Sequence, residues 1–239
     1  MNDFNFNKIL FKYYKTKYKS IKNFELIHEL LETNDISDKD KLFYLENKIP
    51  IFGINDRNSF LIRDFYYFYD HNEEINNLYI NFMKNIIQPL FPNENNLVIQ
   101  KTPNIRFHLP NCSNIGKRDS DIYDEFIGVH TDSEAGHPNE EINLVIAIND
   151  MFDTNSIYYE KEPNMNIELE QFNNLKLKTN EYFIYNFNQC RHYNKINKTN
   201  QTRVSLDIRF IPYSKYISYN NNSLTSNKKF VIGDYYILV

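Results

Sequence analysis

Cysteine is scarce: the 239 residues hold two, Cys112 and Cys190. That excludes the disulfide framework with which small secreted domains make up for a thin core. Long apolar runs are missing as well. No stretch approaches the roughly 20 consecutive apolar residues of a membrane-spanning helix. The opening MNDFNFNKILFKYYK lacks the basic start and continuous apolar core of a secretory signal. Positive charge is in deficit, with 27 Lys and Arg against 31 Asp and Glu and a net charge of -4. A broad nucleic-acid or anionic-membrane footprint needs clustered positive charge, so neither partner is expected. The short basic runs, such as KYYK at 12–15 and Lys228-Lys229, read as solvated faces. The expectation is a cytoplasmic protein whose partner is a small molecule. Its oligomeric state is not legible.

Aromatic residues are plentiful. With 19 Phe and 19 Tyr in a 41% hydrophobic chain, one sizeable core is within reach. Up to about residue 95 the apolar residues recur at helical spacing. Phe6, Ile9, Leu10, Tyr13 and Tyr14 form one stripe, and Phe24, Ile27, Leu30 and Leu31 a second. A third starts near Asn72 with Ile75, Leu78, Tyr79, Phe82, Met83, Ile86 and Ile87. Glu73 and Glu74 favour its N-terminal turn and Pro89 closes it. From Asn96 the texture changes to short strand-like runs: NLVIQ (96–100), NIRFHL (104–109), INLVIAI (142–148), SIYYE (156–160), EYFIYNF (181–187) and RVSLDIRFI (203–211). Polar, turn-forming clusters separate them. The expected organisation is one domain of α+β class with a mainly β core. It comprises a helical part (1–95), a β-barrel or jelly-roll core (96–216) with the helices packed outside, and a C-terminal extension (217–239).

The chemistry gathers around GVHTDSEAGH at 128–137. In His130-Thr131-Asp132, an imidazole and a carboxylate two positions apart project from one face of an extended backbone and can grip one metal ion. His192, 60 residues beyond Asp132, leaves room for several strands to fold back and supply a third ligand. Two histidines and a carboxylate make the facial triad of non-haem Fe(II) oxygenases. A three-ligand zinc hydrolase site is the rival. The strand TRVSLDIRF then places Arg203, Ser205, Asp207 and Arg209 on one face and Val204, Leu206, Ile208 and Phe210 on the other. If the polar face lines a cavity, Arg203 is placed to clamp a carboxylate through its planar fork, with Ser205 adding a hydroxyl. Arg209 lies roughly 20 Å further along the strand, too far to share that carboxylate. It is expected to pair with an acid or to sit at the rim.

His-x-Asp, a distant His and then Arg-x-Ser resembles the Fe(II)/2-oxoglutarate-dependent oxygenases. The blocks HTDSEAGHPNEEINLVIAI and QCRHYNKINKTNQTRVSLDIRFIP are similar to a bacterial-type branch associated with carbohydrate and antibiotic biosynthesis. The resemblance covers about 96–216 and implies a double-stranded β-helix (jelly-roll, cupin-like) fold. It implies Fe(II) held by His130, Asp132 and His192. It further implies 2-oxoglutarate held through its distal carboxylate by Arg203 with Ser205, and O2 as the second cosubstrate. The implied reaction oxidises a substrate C–H bond, usually to an alcohol, and releases succinate and CO2. The carboxylate at Asp132 disfavours halogenation, for which related enzymes carry a small residue there. One departure is local: INLVIAI is aliphatic after Asn143 where this branch is expected to carry aromatics, which leaves the substrate pocket open.

Other residues receive weaker assignments. Arg106 and His108 share one strand face and are candidates for a substrate anion; a surface ion pair and a satisfied histidine are the alternative. Asn143 either points inward to a ligand or makes a strand-end hydrogen bond. His137 fits a surface or loop-ordering role better than a fourth ligand, and Glu134 reads as a loop acid over the site. At most one of Tyr158 and Tyr159 lines the pocket. Cys190 reads as a spectator thiol, and His28 and His71 receive no role. The expected substrate is a small polar metabolite such as a sugar, aminocyclitol or amino acid. The alternatives are a protein side-chain hydroxylase of the same family and a non-oxidative metal-binding jelly-roll isomerase or hydrolase.

Overall fold

A computed structural model describes residues 4–46, 59–111, 127–223 and 227–239. Cys112 lies outside the described residues. Among the described residues, four α-helices, α1 (Phe6–Lys17), α2 (Asp38–Glu46), α3 (Phe60–His71) and α4 (Glu73–Phe82), precede ten strands. Helix α1 buries Phe6, Leu10 and Tyr14, one residue per turn, and Asn5 caps it by accepting from the Lys8 amide at 2.8 Å. Helix α4 starts on Asn72, whose side chain accepts from the Ile75 amide, with Glu73 and Glu74 in the first turn. It continues through a π turn, Met83–Ile87, and ends in the 3-10 turn that contains Pro89. The expected helix around Phe24–Leu31 is a 3-10 helix, Ile27–Glu32. Its buried residues Ile27 and Leu30 stand three apart, the 3-10 period, and continue the spacing of the buried Ile21 and Phe24 before it, while Leu31 is only partly buried.

The strands are β1 (Leu97–Gln100), β2 (Asn104–His108), β3 (Ile127–His130), β4 (Ile142–Ala147), β5 (Ile157–Tyr159), β6 (Asn173–Asn174), β7 (Tyr182–Tyr185), β8 (His192–Asn194), β9 (Arg203–Pro212) and β10 (Tyr236–Leu238). They form two antiparallel sheets. The larger runs β10-β1-β9-β4-β7, with β2 also on β9; the smaller runs β3-β8-β5-β6. The ten-residue strand β9 is the spine: it pairs with β4 along one side and with β2 and then β1 along the other. β10 lies within the 217–239 extension, and joins the larger sheet beside β1.

Alternation along the strands sorts the side chains into layers. Val204, Leu206, Ile208 and Phe210 of β9, with Leu144 and Ile146 of β4 and Ile105 and Phe107 of β2, pack against the helices in one large core. Each of the four β9 side chains is at most 1% exposed, and such burial contributes about 1.5–3 kcal/mol per side chain. The opposite face looks toward the smaller sheet. There Val145, Ala147, Ile157 and Phe187 form a second core, packed by Tyr159, Phe183 and Tyr185. The polar face of β9 points into this inter-sheet space, and the helices lie on the far side of the larger sheet.

Candidate metal centre

His130 closes β3 and His192 opens β8, and the two are direct partners across the smaller sheet. Gly128, two residues before His130, has φ +72°, and the β3–β8 register shifts between Ile127 and His130. A bulge of this kind re-aims the side chain that follows it. Its carbonyl also receives the His130 Nδ1 hydrogen bond. His192 Nδ1 bonds the carbonyl of Cys190 at 3.2 Å. With both Nδ1 atoms donating to carbonyls, each ring is fixed with its Nε2 turned toward Asp132.

Asp132 is not on a strand. Its φ of -65° and ψ of -30° put it in the helical region, at the start of the 3-10 turn Ser133–Ala135. The chain therefore turns after His130, and the two-apart spacing works through that turn and not through strand alternation. Backbone bonds from the Asp132 amide to Phe187 O (3.1 Å) and from the Ser133 amide to Asn188 O (3.2 Å) fasten this turn to the loop that leads to His192. Glu134 ties the same turn by accepting from the Thr131 amide at 2.8 Å.

Asp132 Oδ1 lies 3.9 Å from His130 Nε2 and 3.9 Å from His192 Nε2. One ligand atom from each of the three residues falls within 4.8 Å of the others, and among the described residues this is the group of His, Cys and acidic side chains able to hold a metal ion. Metal bonds of about 2.0–2.2 Å require the set to close by roughly 1 Å, within the reach of side-chain rotation. Oδ2 faces away, toward Asn143 Nδ2 (2.6 Å), Arg209 Nε (3.0 Å) and Arg209 Nη2 (2.8 Å). Burial works to raise the Asp132 pKa, but Arg209, with His192, His137 and His130, outweighs it and holds the carboxyl well below the usual range. His192 is pushed down to about 4, by burial first and then by His130, so at neutral pH its ring is unprotonated.

Arg203 is wholly buried, and its Nε, Nη1 and Nη2 have no hydrogen-bond partner among the described residues. Burial, against the attraction of Asp207 and with a smaller contribution from Arg106, lowers its pKa to about 10. On the neighbouring rungs, Ser205 Oγ donates to Asp207 Oδ1 (3.2 Å) and Arg106 Nε to Asp207 Oδ2 (3.0 Å). His108, the cross-strand partner of Arg203, bonds Asn155 O through Nδ1 at 3.1 Å. Arg106 thus forms an ion pair with Asp207, both side chains about a quarter exposed, and His108 is satisfied by a backbone carbonyl, which is the alternative expected for this strand. Asn143, a candidate for substrate contact, has its amide nitrogen on Asp132 and its Oδ1 buried without a partner.

His137 is largely buried. It bonds Glu141 Oε2 through Nδ1 at 2.8 Å and packs on Phe230 and Tyr235, which corrects the surface reading. Glu141, Tyr236 and the hold of Arg209 on Asp132 are features the sequence pattern missed. The polar period of β9 reached Arg209 but not its partner. The aromatics missing from β4 come from its neighbours: Tyr159, Phe183, Tyr185 and Phe187 cluster in the inter-sheet space, and the Phe187 ring lies 4.7 Å from that of His192. Tyr158 points the other way and stacks on Tyr193. Cys190 is buried and free. No helix among the described residues is long and apolar enough to cross a membrane.

No family model matches the chain. The streptomycin biosynthesis protein StrG of Streptomyces griseus is 25% identical over 170 residues, which cover 71% of this chain and 72% of StrG. Among solved structures, the non-heme monooxygenase ThoJ in its nickel complex is similar at 15% identity and a TM-score of 0.38, over 49% of this chain and 45% of ThoJ. An oxidoreductase of the 2OG-Fe(II) oxygenase family from Burkholderia pseudomallei gives 16% and 0.38, over 56% of each chain. HygX of Streptomyces hygroscopicus with nickel and 2-oxoglutarate bound gives 11% and 0.29, over 54% of this chain and 61% of HygX. The chain spans less than two thirds of each of these three structures. Likenesses this weak transfer neither fold nor activity to it.

Proposed function

We propose that the chain is an Fe(II)/2-oxoglutarate-dependent dioxygenase, its two sheets forming a double-stranded β-helix, which hydroxylates a small polar metabolite. The observation that carries the proposal is Arg203: a guanidinium with no exposure and no hydrogen-bond partner among the described residues, on the strand face that also bears the Asp132-binding Arg209. A buried cation is tolerable where an anion completes it, and a planar fork suits a carboxylate. A zinc hydrolase needs no such group. The donor set fits iron, since two neutral imidazoles and one carboxylate leave coordination positions open. Iron with 2-oxoglutarate and O2 would supply the power to oxidise a C–H bond.

The residues do the rest. His130 and His192, fixed through Nδ1, would hold the metal through Nε2, and Asp132 would do so through Oδ1. Arg203 would bind the far carboxylate of 2-oxoglutarate and so orient it toward the metal. The ring cluster of Tyr159, Phe183, Tyr185 and Phe187 would keep water from the His192 side. Arg106, whose pair with Asp207 faces the same space, would contact a polar substrate. The 25% identity with a streptomycin biosynthesis protein agrees with a small metabolite as substrate. The test is anaerobic addition of Fe(II) and then 2-oxoglutarate. A weak visible charge-transfer band is expected, and substrate-stimulated succinate release on admission of air. The proposal fails if no band forms and Arg203→Ala binds 2-oxoglutarate as the native chain does.

A further inference from the structure

Asp132 has two oxygens in different surroundings. Oδ1 faces the two imidazoles, whereas Oδ2 has three N–H donors within 3.0 Å, two from Arg209 and one from Asn143. A carboxylate oxygen has two lone pairs, so Oδ2 is saturated. A free carboxylate can take a metal with one oxygen or two. This one is left a single oxygen to offer.

Arg209 is itself held from several sides. Its backbone amide donates to Gln100 Oε1 at 3.2 Å. Glu141, wholly buried, places Oε2 3.6 Å from Arg209 Nε. Glu141 is fixed in turn by His137 at 2.8 Å and by the hydroxyl of Tyr236. Tyr236 belongs to β10, and its neighbours Phe230 and Tyr235 pack on His137. A chain of contacts thus runs from the C-terminal strand through Glu141 and Arg209 to Asp132.

We propose that Arg209, with Asn143, is a positioning residue that restricts Asp132 to one-oxygen ligation and thereby keeps a coordination position open, and that Glu141 and Tyr236 hold Arg209 to that task. This rests on the metal centre proposed above. Without the restriction the second oxygen would swing onto the metal and occupy a position needed by cosubstrate or oxygen.

Mn(II) serves as the probe with the full chain. Its affinity is read from the electron paramagnetic resonance signal of the free ion, and its bound waters from solvent proton relaxation per bound ion. The native chain is expected to retain three exchangeable waters, and Arg209→Met and Asn143→Ala to lose about a third of the relaxation as Asp132 takes a second position. Arg209→Lys, which keeps one donor and the charge, should recover part of it. If Arg209→Met and Asn143→Ala keep the native relaxation per bound ion, with or without a change in affinity, the residues only support structure and the proposal is overturned. Should Arg209→Met fail to fold, Asn143→Ala decides in the same way. If the native chain binds no Mn(II), or His192→Ala binds it equally well, the metal centre itself is wrong, an outcome distinct from an unchanged water count.

Discussion

Replacing Arg203 by methionine should have effects of opposite sign on the free protein and on its complex. The lowering of the Arg203 pKa from 12.5 to about 10 corresponds to about 3 kcal/mol against the charged form. Methionine has similar reach and no charge to bury, so the free variant should gain about 1–3 kcal/mol once imperfect packing is allowed for. For a chain of this size that raises Tm by roughly 3–10 °C. Binding should move the other way. Two charge-assisted hydrogen bonds to a carboxylate contribute about 1.5–3 kcal/mol each, so the Kd for 2-oxoglutarate should weaken roughly 10²- to 10⁴-fold. Thermal melts with and without 2-oxoglutarate, at fixed Mn(II), separate the two effects. At a hundred times the native Kd the ligand should stabilise the native chain by about 2.7 kcal/mol and the variant by about 0.4 kcal/mol or less. A variant less stable than the native chain, yet stabilised as much by 2-oxoglutarate, would refute the assignment of Arg203 as an anion clamp.

Two further outcomes are expected. The folded pKa of His192 is lowered from 6.5 to about 4, so the unfolded chain binds the extra proton between those values. Stability of the metal-free protein should therefore be full above about pH 6.5, fall by about 3 kcal/mol as pH drops to 4, and change no further on this account below it. Urea unfolding across that range should show the slope, and His192→Asn should flatten it. Glu160, wholly buried, accepts from the Arg191 amide at 3.0 Å and from Arg191 Nε at 2.9 Å. Arg191 is about one-third exposed and can rehydrate, so Glu160→Ala should cost about 2–3 kcal/mol and lower Tm by roughly 4–12 °C, read by calorimetry.

What could be read from the sequence follows the length and regularity of each element. The strands β1, β2, β4, β5 and β7 stand within the expected runs, and β9 overruns its own by one residue to Pro212, because each has several alternating or aliphatic residues. The strands β3, β6 and β8, with the sequences IGVH, NN and HYN, carry no alternating or aliphatic run, and β10 is three residues within the 217–239 extension. Helix α3 escaped because Phe60, Leu61 and Ile62 are all buried in succession, along with Asp64, which blurs the stripe. Asp64 is tolerated there because Lys17 and the hydroxyl of Tyr18 pair with it. The three candidate ligands do meet, but for a reason that strand alternation did not contain: a glycine bulge aims His130 and a turn brings Asp132 round. Gly128 in a β-rich run was the available signal. The pairing of Arg209 with Asp132 depends on a fold-back of 77 residues, which periodicity cannot see.

The backbone ties from Asp132 and Ser133 to Phe187 and Asn188 also say something about time. They close a loop of more than fifty residues without any side chain or metal. Contacts so far apart in sequence form late in folding, because closure entropy must be met before they return anything. The pairings of β9 with β1, β2 and β4 span still more residues, so the turn that carries Asp132 and the larger sheet meet the same kind of closure cost. A metal ion bound here would meet a chain already shaped to receive it, and its removal should leave the sheets standing.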